Sequence, residues 1–223
     1  GLSVLSSLMQ TGNIKKAILL AGDARKQAKE ELDQLFGYAC TATALEYSKE
    51  AKPFYFDLGT DGTGYDAIIR PGGGCRNQFN EDSLKLELCE DGRKRHAIQT
   101  RMKGMDVFAF GITTAPKSIK KLTANYEMDY TSFDYVILHQ ANYKMTETIR
   151  KKLKLDAEKM PYSMLHFGNT SSASIPLTIV TQLKGKIEDK PTKIIGCAFG
   201  VGLSWGTVAF ETEHLLISEL VEV

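Results

Sequence analysis

Apolar positions along this chain fall into two rhythms, short unbroken runs and longer stretches at helical spacing. The clearest run is Tyr135–Leu138 in DYVILHQAN: four apolar residues without alternation, the pattern of a strand covered on both faces. It ends abruptly in a histidine and two carboxamides. At the start, GLSVLSSLMQTG places Leu2, Val4, Leu5, Leu8 and Met9 at helical spacing, and Thr11 and Gly12 close the helix. No capping residue precedes it, so the reading predicts a chain that begins inside a helix. IKKAILLAGD then reads as a strand ending in a Gly-Asp turn, DARKQAKEELDQLFG as a charged helix, and YACTATALEY as a strand. PFYFDLGTDGTGYDAIIRPGGG breaks strand-like pieces with glycine turns, with Gly72 to Gly74 in a loop, and residues 75 to 103 form a polar, irregular connector.

Regularity returns at Asp106. DVFAFGI precedes a helix near Ala115 to Asn125, the strand Tyr135–Leu138 follows, and helices are predicted over 143–155 and 172–183. KIIGCAF and TVAFE close the chain as strands, with a glycine-rich bend between them. Strands and helices alternate throughout, which predicts a layered α/β fold; no internal repeat is visible.

Composition narrows the classes. At 223 residues, 43% apolar and 25% charged, the chain can bury a full core. A net charge of +1 creates no global field for nucleic acid or an anionic membrane, and no apolar run is long enough to span a bilayer. Cys40, Cys75, Cys89 and Cys197 are scattered, without zinc spacing, and read as reduced thiols.

Several motifs compete. GLSWG at Gly202 to Gly206 matches the nucleophile elbow G-x-S-x-G, but that motif needs a following helix and TVAFE reads as a strand. The G-x-G fragment beside it lacks the rest of a dinucleotide fingerprint. Asn169-Thr170-Ser171 is formally a glycosylation sequon, lying between apolar segments. Three features point elsewhere. His139 stands at the carboxyl end of a strand, where α/β sheets bind ligands. Asn169 lies in HFGNTSSASIP, among small residues before a helix opening at Ser172 or Ser174 with Pro176 in its first turn. GCAFGVGLSWG runs a strand into a glycine-rich bend. Taken singly, each also reads as structure: a strand-end histidine, a turn asparagine, a tight β-turn.

In order and spacing, HQAN, GNTSSASIP and AFGVGLSWG resemble the C-terminal half of the β-ketoacyl-ACP synthase III family. GLSVLSSLMQTGNIKKAILLAGD resembles the helix and strand that follow the family's nucleophilic cysteine, and LFGYACTATALEY a glycine-rich strand entry in which Tyr38, Cys40 and Thr41 depart from the family pattern. The resemblance implies a thiolase-like layered αβαβα fold, incomplete at its N-terminus. Residues 1–102 would be the rest of the N-terminal half and 103–223 the C-terminal half. It further implies an acyltransferase in which an acyl group passes from acyl-CoA to a cysteine. Malonyl-ACP then loses carbon dioxide, and its enolate attacks the acyl-thioester. His139 and Asn169 would donate hydrogen bonds to the enolate oxygen, Phe199 would shield the site, and Val201 would offer a backbone amide. Gly104, Phe108 and Asn142 would contact pantetheine, with Met105 replacing the usual Asn. Gln140, Ala141, Lys144, Lys151 and Lys152 would receive the acyl carrier protein.

The nucleophile is expected ahead of Gly1, since none of the four cysteines matches its position. A cytoplasmic homodimer without cofactor or metal is expected, with no nucleic-acid or membrane partner. Two alternatives share the fold: a synthase of secondary metabolism using another starter, and a non-catalytic homologue that binds acyl carrier protein.

Overall fold

A computed structural model describes residues 1–23 and 35–222. The charged helix expected over 23–37 therefore lies mostly outside the described residues. Helix α1 (Leu2–Gln10) packs on strand β1 (Lys16–Gly22), which pairs antiparallel with β2 (Cys40–Glu46). Strand β3 (Tyr55–Thr60) leads into a region of two-residue strand pairs and 3-10 turns, where the polar connector was expected. Gly73 and Gly74 there take positive φ, as a glycine loop predicts.

The second sheet has the order β3-β6-β5-β4, formed with β4 (Tyr135–Leu138), β5 (Thr192–Gly200) and β6 (Ser204–Thr212). β4 runs parallel to β5; the other pairs are antiparallel. The expected division between residues 102 and 103 does not follow the sheets. Tyr55–Ala209 through Thr60–Ser204 pair in register, so β3 belongs to the later sheet although it precedes the connector.

Both faces of β4 are covered, as its unbroken apolar run predicts. Val136 and Leu138 face a core with Ile195 and with residues of α2 (Gly104–Asn125) and α3 (Tyr143–Leu153). Ile137 faces the opposite core with Ile194, Leu183 and Ile187. After a short helix α4 (Met164–Phe167), α5 (Ser174–Thr178) and a π-helical turn, Ile179–Leu183, lie on that side in place of the single helix predicted over 172–183. α5 also touches β2, so it lies between the two sheets. α1 meets β1 on its Leu19 face, opposite the exposed Ile18 and Leu20, so among the described residues the layers read sheet, helix, sheet, helix.

DVFAFGI is not a separate element. It forms the first half of the 22-residue α2, because Phe108, Gly111, Ala115, Ile119 and Leu122 keep helical spacing across Pro116. Gly111 lets the helix approach closely: a Cβ there would meet Met145 Sδ and Phe199 Cε2, each at 2.7 Å. Pro116 has no N–H for the carbonyl of Ile112, and Lys152 Nζ donates to that oxygen at 3.0 Å.

A buried polar chain ties α2 to the sheet. Ser118 Oγ donates to Asp57 Oδ2 at 2.7 Å, Lys121 Nζ reaches Asp57 Oδ1 at 2.6 Å, and Thr207 Oγ1 donates to Cys197 Sγ at 3.2 Å. Burial opposes the charge on Asp57, yet Lys121 and Ser118 hold its carboxyl below the ordinary range.

Candidate active site

Each residue of HQAN has its own task at the end of β4. The backbone N–H of His139 donates to the carbonyl of Cys197 at 2.8 Å, extending the parallel ladder by one residue. Its Nδ1 lies 2.9 Å from Ser174 Oγ, and Phe199 stands edge-on to the ring with centroids 5.9 Å apart. Burial alone pushes its pKa down to about 4, so the imidazole is neutral at physiological pH. Gln140 is fully buried: Nε2 donates to the Leu138 carbonyl at 2.8 Å, and Oε1 accepts from the backbone N–H groups of Ser163 (3.1 Å) and Met164 (3.3 Å). Asn142 caps α3, its Oδ1 accepting from the Met145 N–H at 2.9 Å.

Asn169 is held in the loop between α4 and α5. Its N–H donates to the Leu35 carbonyl at 2.8 Å, and its carbonyl accepts from the Gly37 N–H at 3.0 Å. Gly37 has to be small, because a Cβ there would overlap the Phe167 carbonyl. The Asn169 side chain is also oriented. Oδ1 accepts from the Ser171 N–H at 3.0 Å, and that donor identifies the atom as oxygen. Nδ2 is left as a donor with no partner among the described residues. Ser171 adopts φ 53°, a left-handed conformation that a serine keeps only where its surroundings impose it.

His139 and Asn169 are tied to one stretch of chain through these partners. Ser174, bonded to His139, lies five residues after Asn169 on the same stretch of chain, and Gln140 grips that stretch at Ser163 and Met164. Two ring or amide nitrogens, His139 Nε2 and Asn169 Nδ2, therefore remain available for hydrogen bonding from fixed side chains. Nothing in the pair needs to ionise to act.

The other expected site residues divide. Gly104 and Phe108 lie one turn apart at the start of α2, and Lys144 Nζ sits 5.9 Å from the Phe108 ring centroid, a cation–π contact. Lys144 and Lys151 are exposed on α3, and Ala141 is half-buried. Gln140 is corrected: at 0% exposure its side chain cannot meet a docking protein. Lys152 is exposed, but its ammonium serves the Ile112 carbonyl. Val201 is 64% exposed in the turn after β5. The sequon is excluded, since Asn169 is only 8% exposed and hydrogen-bonded. Ser204 lies on β6 with its Oγ 3.2 Å from Thr60 Oγ1, and no helix follows, which removes the hydrolase elbow. Cys197 is buried beside Thr207 and its thiol is pushed up to about 12, the reverse of an activated nucleophile.

Sequence reasoning missed the scaffold roles of Gln140 and Ser174 and the pairing of Leu35–Gly37 with Asn169. A carboxamide between a buried strand and a capping Asn was a signal for Gln140. For the other two, the partners are distant in sequence and carried none.

A family model described as 3-oxoacyl-[acyl-carrier-protein] synthase III C terminal matches residues 123–212. The β-ketoacyl-[acyl-carrier-protein] synthase III of Clostridium acetobutylicum is 29% identical over 214 residues, covering 94% of this chain and 63% of the relative. A crystal structure of a 3-oxoacyl-(acyl-carrier-protein) synthase III superposes with TM-score 0.86 at 30% identity, over 94% of this chain and 64% of that one. The 3-oxoacyl-(acyl-carrier protein) synthase of Burkholderia xenovorans gives TM-score 0.85 at 32% identity, over 100% and 63%. Residues 123–212 match the synthase III C-terminal family, and the chain as a whole is similar to synthase III proteins.

The fold is accordingly thiolase-like, and the described residues supply four of the five expected layers. The chain spans less than two thirds of the length of these synthase III relatives. Among the described residues, no helix is long and apolar enough to cross a membrane.

Proposed function

We propose that the protein to which this chain belongs is a decarboxylative condensing acyltransferase that joins an acyl-CoA starter to malonyl-ACP, giving 3-oxoacyl-ACP. The observation that carries the reading is the pair of oriented nitrogens, His139 Nε2 and Asn169 Nδ2, each fixed by a partner on its other polar atom. When the malonyl C–CO₂⁻ bond breaks, its electron pair moves toward the thioester oxygen, and negative charge develops there. Two neutral donors in a site lined by Phe199 stabilise that charge without reorganising, each typically contributing about 3 to 4 kcal/mol of barrier lowering. The enolate carbon then attacks the acyl-thioester carbonyl and expels a cysteine thiolate. The resemblance puts that cysteine ahead of Gly1, and Cys197 does not supply it.

In this proposal pantetheine enters beside Gly104, Phe108 and Asn142, where Asn142 keeps Nδ2 free of its capping role. Val201, exposed in its turn, would bring its amide toward the acyl-thioester. The exposed Lys144 and Lys151 attract an acidic carrier protein, and Ala141 lies at their edge. The active form would be a homodimer in the cytoplasm, using no metal or cofactor.

The test uses the protein that carries the nucleophilic cysteine. His139→Ala and Asn169→Ala are each expected to lower carbon dioxide release from malonyl-ACP about 100- to 1000-fold. Transfer of the acyl group from acyl-CoA to the enzyme should survive. Wild-type release from both variants would overturn the assignment.

A further inference from the structure

The tautomer of His139 decides whether it can act as a donor at all. A neutral imidazole has one N–H, and only the form protonated on Nε2 can donate away from Ser174. The hydroxyl of Ser174 has one proton to give. Its Oγ lies 2.9 Å from His139 Nδ1, and no other hydrogen bond reaches that oxygen among the described residues. Ser174 is only 2% exposed.

If Nδ1 carried the proton, the serine O–H would be buried without an acceptor, at a cost of about 1 to 3 kcal/mol. If Nε2 carries it, Ser174 donates to the Nδ1 lone pair and both groups are satisfied. Histidine tautomers differ little in intrinsic energy, so the buried hydroxyl selects the form. The geometry points to Ser174 as a positioning residue that keeps the His139 proton on Nε2, where the developing enolate needs it. This rests on the donor role proposed for His139.

Ser174 is itself held in register. Thr178 Oγ1 donates to the Ser174 carbonyl at 2.7 Å, which uses the Thr178 proton, so Ser163 Oγ must donate to Thr178 Oγ1 across their 2.7 Å contact. The Ser163 N–H in turn donates to Gln140 Oε1 at 3.1 Å. Gln140 adjoins His139, so the hydrogen bonds form a closed circuit: His139, Ser174, Thr178, Ser163, Gln140. The serine hydroxyl cannot drift from the ring without opening that circuit.

Ser174→Ala in the cysteine-bearing protein removes one oxygen and leaves the backbone circuit intact. Two readouts are needed. Nitrogen-15 correlation spectra of the labelled imidazole are expected to show His139 protonated on Nε2 in the wild type and shifted toward the Nδ1-protonated form in Ser174→Ala. Carbon dioxide release from malonyl-ACP is expected to fall on the order of tenfold, a share of a full donor's effect, with acyl transfer from acyl-CoA unchanged. Ser174→Thr, which restores a hydroxyl, should recover the Nε2 form.

An unchanged tautomer in Ser174→Ala, or full decarboxylation despite a changed one, would overturn the proposal. His139→Ala run alongside separates the two ideas. Wild-type decarboxylation in that variant removes the donor role, whereas loss there with no loss in Ser174→Ala removes only the positioning role.

Discussion

Two paired strands from opposite ends of the chain show how differently similar apolar content is used. In β1–β2 the residues alternate in exposure, and Ile18 and Leu20 stand 65% and 75% exposed on one face. Its cross-strand ion pair, Lys16 with Glu46, is 3.5 Å apart and almost wholly in solvent, where such pairs contribute little. In β4–β5, Val136, Ile137, Ile194 and Ile195 are fully buried, and the polar groups around them are bonded to one another through Gln140, Ser163 and Thr178. The lesson is that this chain invests its order around one strand end. There, Gln140, Ser163, Ser174 and Thr178 all find partners, though the buried Thr170 Oγ1 does not, and the same partners orient His139.

Breaking that order should give the largest effect. Gln140→Leu keeps the volume but strips the acceptor from two buried N–H groups and the donor from the Leu138 carbonyl, and we expect a loss of about 3 kcal/mol in urea unfolding. A loss below about 1 kcal/mol would show that water replaces the amide and that the circuit is loose.

A second measurement sharpens the contrast by pH. The folded His139 titrates near 4, below the ordinary 6.5, so the unfolded chain binds its proton first as pH falls. The stability contributed by keeping the ring neutral is complete above about 6.5 and disappears progressively toward pH 4, approaching about 3 kcal/mol. Unfolding at pH 7.5 and pH 4.5 should show His139→Ala less acid-sensitive than wild type. Equal acid sensitivity would mean the ring is solvated. The smallest effect belongs to the other pair of strands: Leu20→Lys should change the stability of this chain by less than about 0.5 kcal/mol. A loss above about 1.5 kcal/mol would mean that Leu20 is covered in solution.

Much of this was legible in the linear pattern. The unbroken apolar run of β4 can only be a strand covered on both faces, the spacing in the opening residues is helical, and the order of HQAN, GNTSSASIP and AFGVGLSWG pointed to the pair His139 and Asn169. Errors arose where distant partners overrule local preference. DVFAFGI reads in isolation as a segment ahead of the helix, but α3 and β5 offer it a surface that suits a helix, and Lys152 repairs the carbonyl that Pro116 leaves open. Gln140 looks like a surface polar residue until Ser163 and Met164 fold over it.

Sequence alone named the residues proposed to carry the chemistry, because residue type sets what can donate, accept or stay neutral. It also determined the alternation of elements, because periodicity records which side of each one is buried. Tertiary structure decided the working state of those residues. Which nitrogen of His139 can donate and whether Gln140 meets solvent depend on hydrogen-bond partners 23 to 35 residues away, and the Asn169 backbone is held by Leu35 and Gly37 from far earlier in the chain; such contacts leave no mark on local sequence.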